Sequence, residues 1–141
     1  MAGSQLAWFL RDSAAPPFAY GRRDCLLWLA DWGRHVSGSD AARNWRGRCS
    51  TALGAARILK RHGGMVQVTA AAFEAEGWRR TESPRRGDVA IVEGREGLTG
   101  AICLGRELYA MARFNGAIQI RRVAPLAAWT WEGECRKSFQ P

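Results

Sequence analysis

Along the chain the apolar positions change period once, near Trp78. Before that point Leu, Ala, Trp and Phe recur every three or four residues, the spacing that lines one side of an α-helix. After it they come in short runs separated by Gly and Pro, the pattern of strands and turns. In the first half, Leu6, Phe9 and Leu10 predict a short helix capped by Ser4 and running to about Leu10, with Trp8 to one side. Pro16 and Pro17 then forbid a helix, Gly21 permits a turn, and Asp24 reads as an N-cap. Behind it, Leu26, Leu27, Leu29, Ala30 and Trp32 predict a well-buried helix whose first turn holds Cys25. Gly38-Ser39-Asp40 marks a break and a new cap, and a short helical piece carrying Trp45 follows. Ser50 is the next expected cap, for a helix over 53–61 that Gly63-Gly64 stops. A last short helix is expected over 70–76, closed by Gly77.

In the second half, four short strands are expected over 89–92, 101–104, 107–112 and 117–120, with Asn115-Gly116 as a strong hairpin turn. Residues 125–128 read as a helical turn. Helices first and antiparallel strands after is an α+β plan. At 141 residues the chain is long enough to bury one core without disulfides or metals. The expected organisation is one domain over 1–131 and a C-terminal arm over 132–141, where periodicity fades. Trp28 and Trp32, one helical turn apart, are expected in the core.

Composition narrows the function. The four cysteines, at 25, 49, 103 and 135, form no C-x-x-C pair and no regular framework, so neither a zinc site nor a disulfide scaffold is indicated, and no cofactor is implied. A reducing compartment fits that usage. The chain has no run of about 18 to 20 apolar residues, so no membrane span is expected, and its start lacks the pattern of a signal peptide. The net charge is +8, and all but two of its 21 basic residues, Lys60 and Lys137, are arginines. The pairs Arg22-Arg23, Arg79-Arg80, Arg85-Arg86 and Arg121-Arg122 fall in different predicted elements. That argues against a nucleic-acid stripe and suits steering toward an acidic protein surface.

The chemistry-bearing stretch is Tyr20-Gly21-Arg22-Arg23-Asp24-Cys25. A thiol in the first turn of a helix lies against unpaired backbone N–H groups and the positive end of the helix dipole, which favours the nucleophilic thiolate. The same position also suits a small buried residue, since cysteine is among the most buried types. Much later, Arg86-Gly87-Asp88-Val89-Ala90-Ile91-Val92 opens a strand. Together these two segments resemble the NlpC-type family of papain-like cysteine peptidases, and within it a branch encoded in phage tail gene clusters. The likeness runs over about residues 17–123. It implies a papain-like α+β fold with the Cys25 helix packed on the sheet, and Cys25 as nucleophile. It also implies a histidine base at the start of the second strand, oriented by a third polar residue on the next strand.

Carried onto this chain, the histidine position falls on Thr99 and the third position on Ala110 or Met111. None of these accepts a proton from a thiol at neutral pH. His35 lies ten residues after Cys25 on the same expected helix, about 15 Å along its axis. His62 reads as a helix-end cation, with a displaced catalytic base as its other reading. Asp88 reads as structural. The resemblance therefore implies an inactive relative: a structural component of a phage tail, at the tip or hub. It would be made in the host cytoplasm, carried in the virion, and partnered by other tail-tip or hub proteins. The alternative is a peptidoglycan-cleaving endopeptidase or amidase that uses Cys25 through a thioester. For attachment, Trp129 and Trp131 alternate around Thr130 and read as a docking surface, joined by Arg136, Lys137 and Phe139 of the arm.

Overall fold

In the computed structural model, residues 2–13, 25–48, 52–95, 97–113 and 117–133 are described, with the backbone alone for 2–4, 52 and 53. The expected loop through Pro16, Pro17 and Gly21, the Asp24 and Ser50 caps, the Asn115-Gly116 turn, Cys49, Cys135, and Arg136, Lys137 and Phe139 lie outside these residues. Among the described residues four helices precede the sheet: α1 (Ala2–Ser13), α2 (Cys25–Ser37), α3 (Ala52–Arg61) and α4 (Met65–Ala75). Six strands follow: β1 (Arg79–Arg80), β2 (Val89–Gly94), β3 (Gly97–Gly105), β4 (Leu108–Ala112), β5 (Ile118–Arg122) and β6 (Ala127–Thr130). They form one sheet in the order β1-β6-β2-β3-β4-β5, with every pairing antiparallel. The α+β class expected from the change of period is the one observed.

The centre of the sheet is buried on both faces, and strand alternation sorts its residues into two clusters. On one face Val89, Ile91, Ile102, Ala110, Ala112, Ala127 and Trp129 pack with Leu6 and Phe9 of α1, Trp28, Leu29 and Trp32 of α2, and Phe73 of α4. On the other face Ala90, Val92, Ala101, Cys103, Tyr109, Met111 and Ala128 form a second cluster. Both expected core tryptophans of α2 are fully buried, and each also satisfies its indole N–H. Trp28 Nε1 donates to Ser13 Oγ at 3.0 Å, and Trp32 Nε1 donates to the Gly87 carbonyl at 2.7 Å. The second bond ties α2 to the turn that opens β2.

Several expected boundaries move. Ser4 falls inside α1 rather than at its start, and α4 begins at Met65, five residues before the expected helix. Residues 41–47 form hydrogen-bonded turns instead of a short helix, anchored by Asp40, whose Oδ1 accepts the Ala42 N–H at 3.0 Å. The expected helical turn over 125–128 is replaced by β6, which inserts between β1 and β2. Trp129 and Thr130 favour a strand while Ala127 and Ala128 do not, and pairing on both sides settles the segment as strand. Between β3 and β4, Arg106 and Glu107 both have positive φ, 54° and 66°, as a two-residue type I′ hairpin turn requires.

Candidate functional site at the start of the Cys25 helix

Cys25 is the first residue of the thirteen-residue α2 and is half-buried. What fixes its place is a close approach of backbone to backbone. A Cβ built on Gly100 of β3 would lie 2.9 Å from the Cys25 carbonyl oxygen and 3.2 Å from Leu29 Cδ2. Only a residue without a side chain lets α2 settle this deeply on the strand.

That contact also sets the parity of β3. Because Gly100 points at α2, its neighbours on the same face are Leu98 and Ile102, and Thr99 turns to the opposite face, beside Val92. Thr99 Oγ1 is 3.4 Å from the Gly100 carbonyl, and the residue does not face Cys25. Thr99, which the resemblance assigns to the histidine position, thus turns away from the start of α2, and Leu98 and Gly100 are what β3 presents there. The two residues that the resemblance offers for the third position, Ala110 and Met111, lie on opposite faces. Ala110 pairs with Ile102 and shares the helix-covered face, whereas Met111 belongs to the opposite cluster. Continuing that register places Ala112, also on the helix-covered face, across from Gly100.

The two histidines are engaged elsewhere. His35 lies near the end of α2, with ring centroids 5.7 Å from Trp8 and 5.5 Å from Phe9, both edge-on. His62 follows the last residue of α3, where its N–H reaches the Ile58 and Leu59 carbonyls, and its ring meets Trp45 edge-on at 5.0 Å. This is the expected helix-end position.

On the side of α2 away from β3 lies a cavity of about 370 Å³, walled by α2, the 40–48 turns, α3 and α4. Cys25, Leu26 and Ala30 line it from α2, Trp45 from the turns, Ala55, Ile58 and Leu59 from α3, and Met65, Thr69 and Phe73 from α4. Leu98 of β3 also borders it. The sequence carries a signal for this space only in hindsight: the apolar face of the 53–61 helix was legible, but not that it would stand off from its neighbours.

The turns beneath are held by charge. Arg46 bridges Asp31 of α2 and Asp40, at 2.8 Å to each. Its hydrogen bond holds the Asp40 carboxyl below the usual carboxylate range, and the two acids hold the Arg46 guanidinium above its ordinary value. Asp88 is structural, as expected: it accepts the Arg85 N–H at 2.7 Å and the Thr130 hydroxyl at 2.8 Å, closing the turn that opens β2. Burial nonetheless pushes its carboxyl up. Burial likewise raises the Cys103 thiol and the Tyr109 phenol, which hydrogen-bond each other on the opposite face of the sheet. Among the described residues no group of His, Cys, Asp and Glu could hold a metal ion, and no helix is long and apolar enough to cross a membrane.

The expected aromatic docking surface is half corrected. Trp129 and Trp131 do share a face, but it is the core face. Trp129 is wholly buried, donates Nε1 to Glu74 Oε2 at 2.9 Å, and lies under the Arg80 guanidinium. Trp131 is half-buried against Trp78, with centroids 5.9 Å apart. The reason is α4, which covers the end of the sheet that the sequence left open.

The arrangement defines a class: an α+β domain in which a cysteine-headed helix docks onto the glycine of a central antiparallel strand. Within that class, the family model for a domain of unknown function, DUF6950, matches residues 2–131, and the chain belongs to the DUF6950 family. No curated protein and no solved structure matches it.

Proposed function

We propose that this domain is a structural component of a phage tail, at the tip or hub, built on a papain-like scaffold that no longer performs peptidase chemistry. The observation that carries the loss of chemistry is the make-up of the strands facing the start of α2. Leu98, Gly100 and Ala112 stand there, and none takes up or passes on a proton. The phage-tail assignment rests on the resemblance of the segments at 20–25 and 86–92. Attachment is assigned to the arm after Trp131, whose Arg136, Lys137 and Phe139 offer charge and an apolar anchor to a neighbouring tail protein. The protein would be synthesised in the host cytoplasm and retained in the virion. Complementation tests this: particles should take up a Cys25→Ala chain at normal copy number and should lack a chain cut after Gly133. Normal incorporation of the truncated chain, or exclusion of the Cys25→Ala chain despite wild-type folding, contradicts the proposal.

The alternative, a peptidoglycan-cleaving cysteine hydrolase, draws on one observation. Cys25 opens a long helix, where backbone N–H groups and the helix dipole favour a thiolate, and it borders a cavity.

A further inference from the structure

We propose that the cavity beside α2 binds the aliphatic chain of an anionic amphiphile, with the head group held by the basic segment that forms its outer wall. The volume, about 370 Å³, falls in the range of small-molecule pockets, whereas close-packed interiors leave few voids larger than a water. The lining is mostly apolar. Besides Cys25 and the indole N–H of Trp45, its polar side chain is Thr69, whose hydroxyl already donates to the Met65 carbonyl at 2.8 Å. A mostly apolar space of this kind suits a hydrocarbon chain.

The packing of α3 points the same way. Ala55, Ile58 and Leu59 turn toward the cavity, yet no residue of this helix from Gly54 to Arg61 is buried. Part of its apolar face borders the cavity and part packs on α4.

Charge selects the head group. Residues 41–62 contain six Arg and Lys and no Asp or Glu. Arg43 is paired with Glu76, and Arg46 with Asp31 and Asp40. Arg48, Arg57, Lys60 and Arg61 have no carboxylate within ion-pairing distance among the described residues. One of these cations touches the cavity wall from outside: the exposed Arg48 guanidinium sits 5.4 Å over the ring of Trp45, a lining residue. A chain that leaves the cavity past Trp45 would bring its head group to Arg48. A carboxylate or phosphate is the head group that complements it. A free fatty acid and an anionic phospholipid share this chemistry. The inference does not depend on whether Cys25 is a nucleophile or on the phage-tail reading.

The test uses the full chain with decanoate and its uncharged counterpart decanol, read by tryptophan fluorescence and thermal unfolding. It adds cosedimentation with phosphatidylglycerol and with phosphatidylcholine vesicles. Decanoate should bind saturably, one per chain, and raise the unfolding temperature. Ala55→Trp, which fills the space from α3, should weaken binding at least tenfold with an unchanged circular dichroism spectrum. If that variant fails to fold, Ala72→Leu fills it from α4. Arg48→Gln should weaken decanoate severalfold and leave decanol unaffected. Sedimentation with phosphatidylglycerol that Ala55→Trp abolishes would make a phospholipid chain the source, and decanoate binding without sedimentation would make it a free acid. Absence of saturable decanoate binding, equal binding by the filled variant, or vesicle binding that the filled variant retains would overturn the proposal, the last as adsorption by surface charge alone.

Discussion

The two sides of α2 are packed in opposite ways. Toward β3 the helix meets Gly100 so closely that a single added carbon would collide with the Cys25 carbonyl. Toward α3 it faces a cavity of about 370 Å³. The seam determines where Cys25 sits, and the cavity determines what could reach it. Among the described residues, neither side presents a histidine to Cys25.

If the seam bears the load, substitutions there should be far costlier than substitutions on the cavity wall. Trp28→Ala removes a fully buried indole and leaves the buried Ser13 hydroxyl without its donor, and a loss of about 3–5 kcal/mol is expected in urea unfolding. A cost under about 1 kcal/mol would mean that α2 is not seated as described. Gly100→Ala should cost about 1–3 kcal/mol, since the atom it meets is backbone and cannot rotate away. A neutral result would show that the seam can open, and the contrast between the two sides of α2 would lose its basis.

The turn to which Trp32 is tied gives a pH-dependent test. Burial raises the Asp88 carboxyl, so the folded state takes up a proton at a higher pH than the unfolded chain does. This group's contribution to stability is therefore larger at acid pH and declines as pH rises through the range just above an ordinary aspartate's. Asp40, held low by Arg46, has the opposite sign: its contribution is present above the ordinary aspartate value and is lost as pH falls through its depressed one. Asp88→Asn keeps one acceptor where two donors converge and should cost about 1–3 kcal/mol. Urea titrations at pH 7 and pH 5 should show that penalty growing toward pH 5, and a difference that shrinks would contradict the assigned direction. The smallest effect belongs to the cavity side. Ala55→Leu adds hydrocarbon to empty space and should alter stability by less than about 1 kcal/mol, in the stabilising direction. A loss as large as that of Gly100→Ala would mean that the cavity is not available space.

How much of this was legible in the sequence depended on whether the cause was local. The helix from Cys25, the helix stopped by Gly63-Gly64, and β2 to β5 all follow from spacing and punctuation within a short window. The start of α4 did not, because Val66, Val68 and Thr69 are β-branched and read poorly as helix, and packing against the sheet overrides them. β6 was hidden for the complementary reason: alanines become a strand only because β1 and β2 pair on either side. Trp129 was expected at the surface because nothing in its own segment announces that α4 covers it. The parity of β3 is the most instructive case. Matching Thr99 to a family motif can be off by one residue without any local sign, and a shift of one residue exchanges the two faces of a strand. The docking of α2 on Gly100 decides it, and that contact spans 75 positions of sequence.

The central claim is that the Cys25 end of α2 does no peptidase chemistry, and muropeptide release from purified peptidoglycan tests it most directly. Wild-type protein and the Cys25→Ala variant, both folded, should release no more soluble fragments than buffer does. Release by the wild type that disappears in Cys25→Ala would contradict the account and identify the protein as a cysteine hydrolase.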